Sequence, residues 1–170
     1  MKIGRLTISD RASAGIYEDR SGPEIEYVLR GTFGASVEFV SAIVPDEAEV
    51  IAARLRERAN QAHCDLIVTT GGAGISLRDV TPEATRAVLE KELPGFGEAM
   101  RMASLTRVKT AIFSRATAGT RGRTLIVNLP GKPSAVRECQ EILAPAIREG
   151  ISHLRGEDPH AHSDPNQSTP

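Results

Sequence analysis

The stretch from Asp65 to Pro82, D-L-I-V-T-T-G-G-A-G-I-S-L-R-D-V-T-P, narrows the possible folds more than any other part of the chain. Leu66 to Val68 is a short apolar run followed by two β-branched threonines, the pattern of a strand covered on both faces in a parallel sheet. It breaks at once into Gly71, Gly72 and Gly74, then Arg78-Asp79, and Val80-Thr81-Pro82-Glu83 has the residues of a helix start. One glycine usually suffices for a turn. Three of them beside an Arg-Asp pair point to a backbone that an anion approaches closely. A strand that ends in such a turn ahead of a helix is where open α/β sheets bind ligands.

The rest of the chain repeats this alternation. Residues 3–9 and 37–44 are expected strands, and helices are expected after Pro23 and after Asp46. Asp46 with Glu49 three residues later has the form of a capping box. In the second of these helices Arg54, Arg56, Glu57 and Arg58 are expected on a solvated face. Helix is expected over 82–92, an interruption at 93–97, and helix again over 98–105. A strand is expected at 110–115, a turn at 119–123 and a buried strand at 124–129. The final helix is capped by Ser134 and kinked at Pro145. The order β-α-β-α-β-α predicts a three-layer α/β/α sandwich with a mostly parallel central sheet. Residues 1–155 are expected to form one domain. The last stretch, 156–170, is rich in proline and poor in apolar residues, and is expected to be a disordered tail. Its His160 and His162 make a weak metal pair.

Composition removes several classes of function. A net charge of −1 argues against a broad nucleic-acid surface. No apolar run approaches membrane-spanning length. The N-terminus enters a strand pattern without the apolar core of a signal peptide, so a cytoplasmic location is expected. Cys64 and Cys139 are far apart and form no metal spacing.

Three segments fall past the C-terminal ends of expected strands: Asp46, the loop Thr70-Gly71-Gly72-Gly74 with Arg78 and Asp79, and Asn128-Leu129-Pro130-Gly131-Lys132. In an open parallel sheet these ends share one edge and line one crevice. Glycine amides with Arg78, Arg115 and Lys132 suit phosphate oxygens. Two aspartates among phosphates suit Mg²⁺. Each residue has a plainer reading beside this one. Asp46 is equally a helix cap, and Asp79 a cap or an ion-pair partner of Arg78. Asn128 equally satisfies buried backbone, and Lys132 is equally a solvated cation. There is no G-x-x-x-x-G-K-[ST] and no G-x-G-x-x-G after the first strand, so two common nucleotide motifs are excluded.

T-T-G-G-A-G with R-D-V-T-P-E-A-T, P-G-F-G-E, S-R and N-L-P-G-K-P, together with S-D-R-A-S, E-D-R-S-G and V-P-D-E, resembles the molybdopterin-binding family of molybdenum cofactor biosynthesis. This is the MogA/MoaB group, which includes gephyrin-type G domains. The similarity extends over residues 3–154, and Ala73 stands where the usual family loop has Thr. R-D-V-T-P and N-L-P-G favour the MogA-like, adenylyltransferase branch. The resemblance implies a molybdopterin-binding fold and a usual trimer. It implies transfer of AMP from ATP to the terminal phosphate of molybdopterin, with pyrophosphate released. It places the two critical aspartates on Asp46 and Asp79, as catalytic and Mg²⁺-holding residues. ATP phosphates are expected on Thr70, Gly71, Gly72, Gly74 and Arg78. The pterin or its phosphate is expected on Ser114, Arg115, Asn128, Pro130, Gly131, Lys132 and Ser134. The implied partners are molybdopterin, ATP, further copies of the chain in a homotrimer and a molybdate-insertion protein. A MoaB-like module that binds pterin without adenylylating it is the alternative, and a scaffold role a more distant one.

Overall fold

The computed structural model describes residues 1–157. The tail expectation falls mostly on 158–170, which with His160 and His162 lies outside the described residues. Six strands form one sheet in the order β2-β1-β3-β6-β5-β4. β1 (Lys2–Ile8), β2 (Glu38–Val44), β3 (Leu66–Thr70) and β6 (Thr124–Leu129) are mutually parallel. β5 (Ala118–Arg121) and β4 (Lys91–Glu92) extend the sheet antiparallel beyond β6. The helices are α1 (Asp10–Ser13), α2 (Ser21–Phe33), α3 (Ala48–Asn60), α4 (Thr81–Arg86), α5 (Pro94–Leu105) and α6 (Pro133–Arg155).

Side chains alternate across the strands with a period of two. Ile3, Leu66, Val68, Leu125 and Val127 enter a core shared with Ile25 and Leu29 of α2, Met100 of α5, and Val136, Leu143 and Ile147 of α6. Leu6, Ile8, Ile67 and Ile126 enter the opposite core with Ile51 and Leu55 of α3 and Ala84 of α4. The result is the three-layer α/β/α arrangement expected for an alternating chain. β3 and β6 are buried at every position, which is why they appear in the sequence as apolar runs.

Several local expectations are corrected. Helix over 82–92 stops at Arg86, because Glu90 to Leu93 leave the helix to pair with the next strand: Glu90 N–H donates to Thr120 O and Leu93 N–H to Ala118 O. The expected interruption at 93–97 is largely helix, with Pro94 in the first turn of α5, a position where its missing N–H costs nothing. The expected strand at 110–115 is a 3₁₀ turn, Lys109–Phe113, with no neighbouring strand to pair with. The expected turn at 119–123 is mostly β5, and the reversal is confined to Gly122-Arg123. Neither Asp46 nor Ser134 caps a helix: α3 has Glu47 at its N-cap, α6 has Lys132, and neither makes a side-chain capping bond. α6 continues through Pro145. Arg58 is 3% exposed, not solvated. A side chain at Gly4 would come within 3.0 Å of its stem, so the glycine makes room for it.

Arg5 of β1 is the charged residue that ties this sheet to the first loop. Its guanidinium donates to Asp19 Oδ2 at 2.8 Å and Glu26 Oε1 at 3.1 Å, and Thr7 Oγ1 donates to the same Asp19 oxygen. Asp19 Oδ1 accepts from Gly22 N–H in the first turn of α2. Both members of the pair are nearly buried. Removing one partner of a buried pair strands the other charge. Asp19→Ala is therefore expected to cost about 3 kcal/mol, the low end of the usual range because Glu26 keeps one contact. The check is a fall in the urea midpoint with an unchanged m-value.

Candidate active site at the ends of β1, β3 and β6

β1 leads into α2 on one face of the sheet, and its neighbour β3 leads into α4 on the other. Chain connections thus diverge between two adjacent parallel strands. This is the topological switch point at which open α/β sheets leave a crevice. A cavity of about 210 Å³ lies here, lined by Thr7, Ile8, Ser9, Ala12, Tyr17, Asp19, Arg20, Ser21, Thr70, Gly71 and Gly131.

The glycines have separate reasons. Gly71 has φ +95°, and a side chain on it would overlap the carbonyl oxygen of Ile8. Gly72 has φ +61°, and a Cβ there would overlap Thr81 Oγ1 and lie 3.0 Å from Asp46 Oδ1. A Cβ on Gly74 would lie 2.9 Å from Asp79 Oδ2. The loop is held from below: Thr81 N–H donates to Gly72 O at 3.0 Å and Thr81 Oγ1 to Gly71 O at 2.9 Å. Thr70 Oγ1 donates to Pro130 O and Ser21 Oγ to Gly131 O, each at 2.6 Å. These bonds draw the end of β6 against the end of β3. Among the described residues the N–H groups of Gly72, Ala73 and Gly74 donate no hydrogen bond, leaving consecutive amides available to an anion.

Asp46 and Asp79 stand on two sides of this loop. Asp46 Oδ2 accepts from Asp10 N–H at 2.8 Å, and Asp10 Oδ1 accepts from Asp46 N–H at 3.0 Å. Arg78 grips the Asp10 carboxylate with two bonds, at 3.0 and 2.9 Å. Asp79 Oδ2 accepts from Ser76 N–H at 2.7 Å. Arg78 therefore pairs with Asp10, not with its sequence neighbour. Asp10 titrates below the ordinary carboxylate range, because of the Arg78 hydrogen bonds and then the Asp46 N–H. Asp46 titrates above it: burial is the main cause, and the negative charges of Asp10 and Asp79 add to it.

The expected site residues divide. Asp46, Thr70, Gly71, Gly72, Gly74, Arg78, Asp79, Pro130 and Gly131 come together at the strand ends. Lys132 follows Gly131 and is exposed. Arg115 is committed to the loop itself: its Nε donates to Gly74 O at 2.6 Å, its Nη2 to Asp79 O at 2.5 Å, and its Nη1 to Glu83. Ser114 accepts from Arg101 through its carbonyl. Asn128 is 0% exposed and donates to Thr69 and Thr85 hydroxyls beneath the crevice. Ser134 lines a separate surface groove between α5 and α6 with Ala103, Arg107, Arg137 and Ile142. Asp10, with the Asp19 and Ser21 segment, was not anticipated as part of the site. Its signal was present: S-D-R-A-S leaves the end of the strand next to β3, where the same switch-point rule applies.

The fold and crevice define a doubly wound α/β protein with a loop of free amides between two carboxylates. The family model described as "Probable molybdopterin binding domain" matches residues 4–149, and the chain belongs to that family. A protein of Helicobacter pylori named molybdopterin adenylyltransferase is 55% identical over 154 residues, covering 91% of this chain and 88% of that protein. The Escherichia coli K12 protein of the same name is 45% identical over 153 residues, covering 90% and 78%. Among solved structures, one titled as MogA superposes with a TM-score of 0.84 at 38% identity, covering 91% of this chain and 99% of that one. MoaB of Thermus thermophilus superposes with 0.82 at 41% identity, covering 92% and 97%.

Gly71→Ala combines a left-handed backbone with overlap onto a fixed carbonyl. It is expected to cost about 3 kcal/mol or more. Gly95→Ala, within α5 and in open space, is expected to be neutral or stabilising by up to about 1 kcal/mol. Thermal unfolding of the two variants side by side checks the contrast.

Proposed function

We propose that this protein transfers AMP from ATP to the terminal phosphate of molybdopterin, releasing pyrophosphate. The observation that carries the proposal is the pair Asp46 and Asp79 flanking a loop of unpaired glycine amides at the switch point. The names of its relatives in Helicobacter pylori and Escherichia coli support it.

Mg²⁺ fits the residues present. Asp46 and Asp79 supply hard oxygen donors. Asp46 Oδ1 accepts no hydrogen bond among the described residues, so one of its oxygens is free to meet a cation. Two carboxylates suit an ion that takes one or two of them and leaves its remaining positions to substrate phosphates. Bound there, Mg²⁺ would supply charge neutralisation on the triphosphate.

The chain's own groups do the rest. The Gly72–Gly74 amides hold phosphate oxygens, and Arg78 adds a cation at the loop's edge. The nucleophile is a phosphate monoester, whose second pKa is near 6, so it is largely a dianion at neutral pH and needs no general base. An oxygen of that phosphate bonds to the α-phosphorus of ATP as the bond from the α-phosphorus to the bridging oxygen breaks, and pyrophosphate carries away the electron pair. Asp46 and Asp79 are holding residues in this scheme, not proton acceptors. The product is passed to a separate protein that inserts molybdate.

A homotrimer is part of the same reading. α5, the 3₁₀ turn and α6 expose Met102, Leu105, Val108, Ile112, Phe113 and Ile142, an apolar surface that association would cover. Pterin binding without adenylylation is the alternative reading, and the names of the relatives do not favour it.

Pyrophosphate release from ATP, Mg²⁺ and molybdopterin separates the two readings. Asp79→Asn is expected to keep pterin binding within about twofold while transfer falls about a hundredfold or more. Loss of pterin binding with normal turnover at saturating pterin would sink the assignment. In sedimentation equilibrium the chain is expected to run as a trimer, and Ile112→Glu to run smaller.

A further inference from the structure

Arg78 is placed where a phosphate-binding arginine would not be at rest. Its guanidinium is bound twice by the carboxylate of Asp10. Asp10 in turn exchanges two hydrogen bonds with Asp46. The three elements joined this way are 36 and 68 residues apart in sequence. The charges of Asp10 and Asp79 both act on Asp46, and among the described residues Arg78 is the cation whose charge reaches it. That guanidinium pairs with Asp10, and among the described residues Asp46 makes no ion pair of its own.

The pair is also built to exchange. Both side chains are about half exposed, and an exposed ion pair is worth ~1 kcal/mol or less. The loop that carries Arg78 is closed by Ser76 and Asp79 bonding to each other, but its tip packs on nothing. Ile75, Ser76, Leu77 and Arg78 are all exposed, Leu77 at 99%. The neighbouring Asp79 is anchored instead, by Arg115 on its carbonyl.

We propose that Arg78 serves as the resident counter-cation of the carboxylate cluster, and that arrival of the divalent cation with its nucleotide displaces it from Asp10. The displaced guanidinium is then free for the phosphates. Arg78 and a divalent cation therefore compete electrostatically for one cluster, although they need not occupy one position. This rests on the proposed Mg²⁺ and ATP site. It assigns Arg78 two partners in turn, where a plain phosphate contact would have one.

The test measures Mn²⁺ alone, without nucleotide, by electron paramagnetic resonance of the free ion. Mn²⁺ prefers the same hard oxygen ligands as Mg²⁺. Removing one unit charge from the cluster in Arg78→Met is expected to tighten Mn²⁺ binding roughly fivefold or more. Arg78→Lys keeps the charge and is expected to stay within about twofold of the unaltered protein. Thermal unfolding of both variants confirms an intact fold. Unchanged or weaker Mn²⁺ binding in Arg78→Met overturns the proposal. So does equal tightening in both variants, which would report an opened loop and not a lost charge. So does an absence of Mn²⁺ binding in all three proteins. The adenylyl-transfer reading is scored separately by pyrophosphate release. A protein that shows the expected Met and Lys pattern yet releases no pyrophosphate loses that reading and keeps this one.

Discussion

Three backbones meet where β1, β3 and β6 end, and the approach of Gly71 to the carbonyl of Ile8 sets how closely they meet. No side chain fits in that contact. Because Gly71 lies against β1, the loop after β3 turns toward Asp46 and does not rise straight into α4. Because Thr70 and Ser21 bind the carbonyls of Pro130 and Gly131, the end of β6 closes the other side. The site thus depends on main-chain geometry before any charged residue is considered. The hydrogen-bonding hydroxyls at these strand ends act on the scaffold's carbonyls, and among the described residues the amides of Gly72 to Gly74 are left unpaired.

Charge is distributed to match. The cations nearest the loop have different tasks. Arg115 binds the carbonyls of Gly74 and Asp79 and so braces the two ends of the loop. Arg78 balances carboxylates, and Lys132 is exposed at the start of α6. Half-buried Asp46 is held in place by the main chain of Asp10. Any residue but proline at position 10 leaves that N–H donor present, so the Asp46 carboxylate keeps one anchor when the Asp10 side chain is replaced. Such redundancy suits a reaction in which alignment, not proton transfer, sets the barrier.

How much of this was legible in the sequence follows from how local each cause is. β3 and β6 announce themselves because burial on both faces demands apolar residues throughout. Their loops announce themselves because positive φ and close approach demand glycine. β4 and β5, K-E and A-G-T-R, carry no such pattern. They are strands only because a neighbour supplies hydrogen bonds, and no window of sequence contains that neighbour. Asp46 looked like a helix cap for a local reason, and the structure gives it a partner 36 residues away. Arg115 and Asn128 were picked by type and by position near strand ends. One turned out to hold the loop and the other to lie sealed under it, with only hydroxyls of Thr69 and Thr85 in reach of its amide.

Asn128 shows why position at a strand end is a weaker guide than the face on which a residue lies. It precedes Leu129 on β6 and pairs in register with Thr69 on β3. Both side chains therefore point to the α4 side, where Thr85 meets them. A polar cluster at this depth fixes the last turn of α4, the helix that follows Asp79. Its effect on the site is transmitted through Thr81, one turn earlier in the same helix, which binds Gly71 and Gly72 directly. Asn128 thus bears on the glycine loop as a support two steps removed, whereas Gly131, which has no side chain at all, lines the crevice itself.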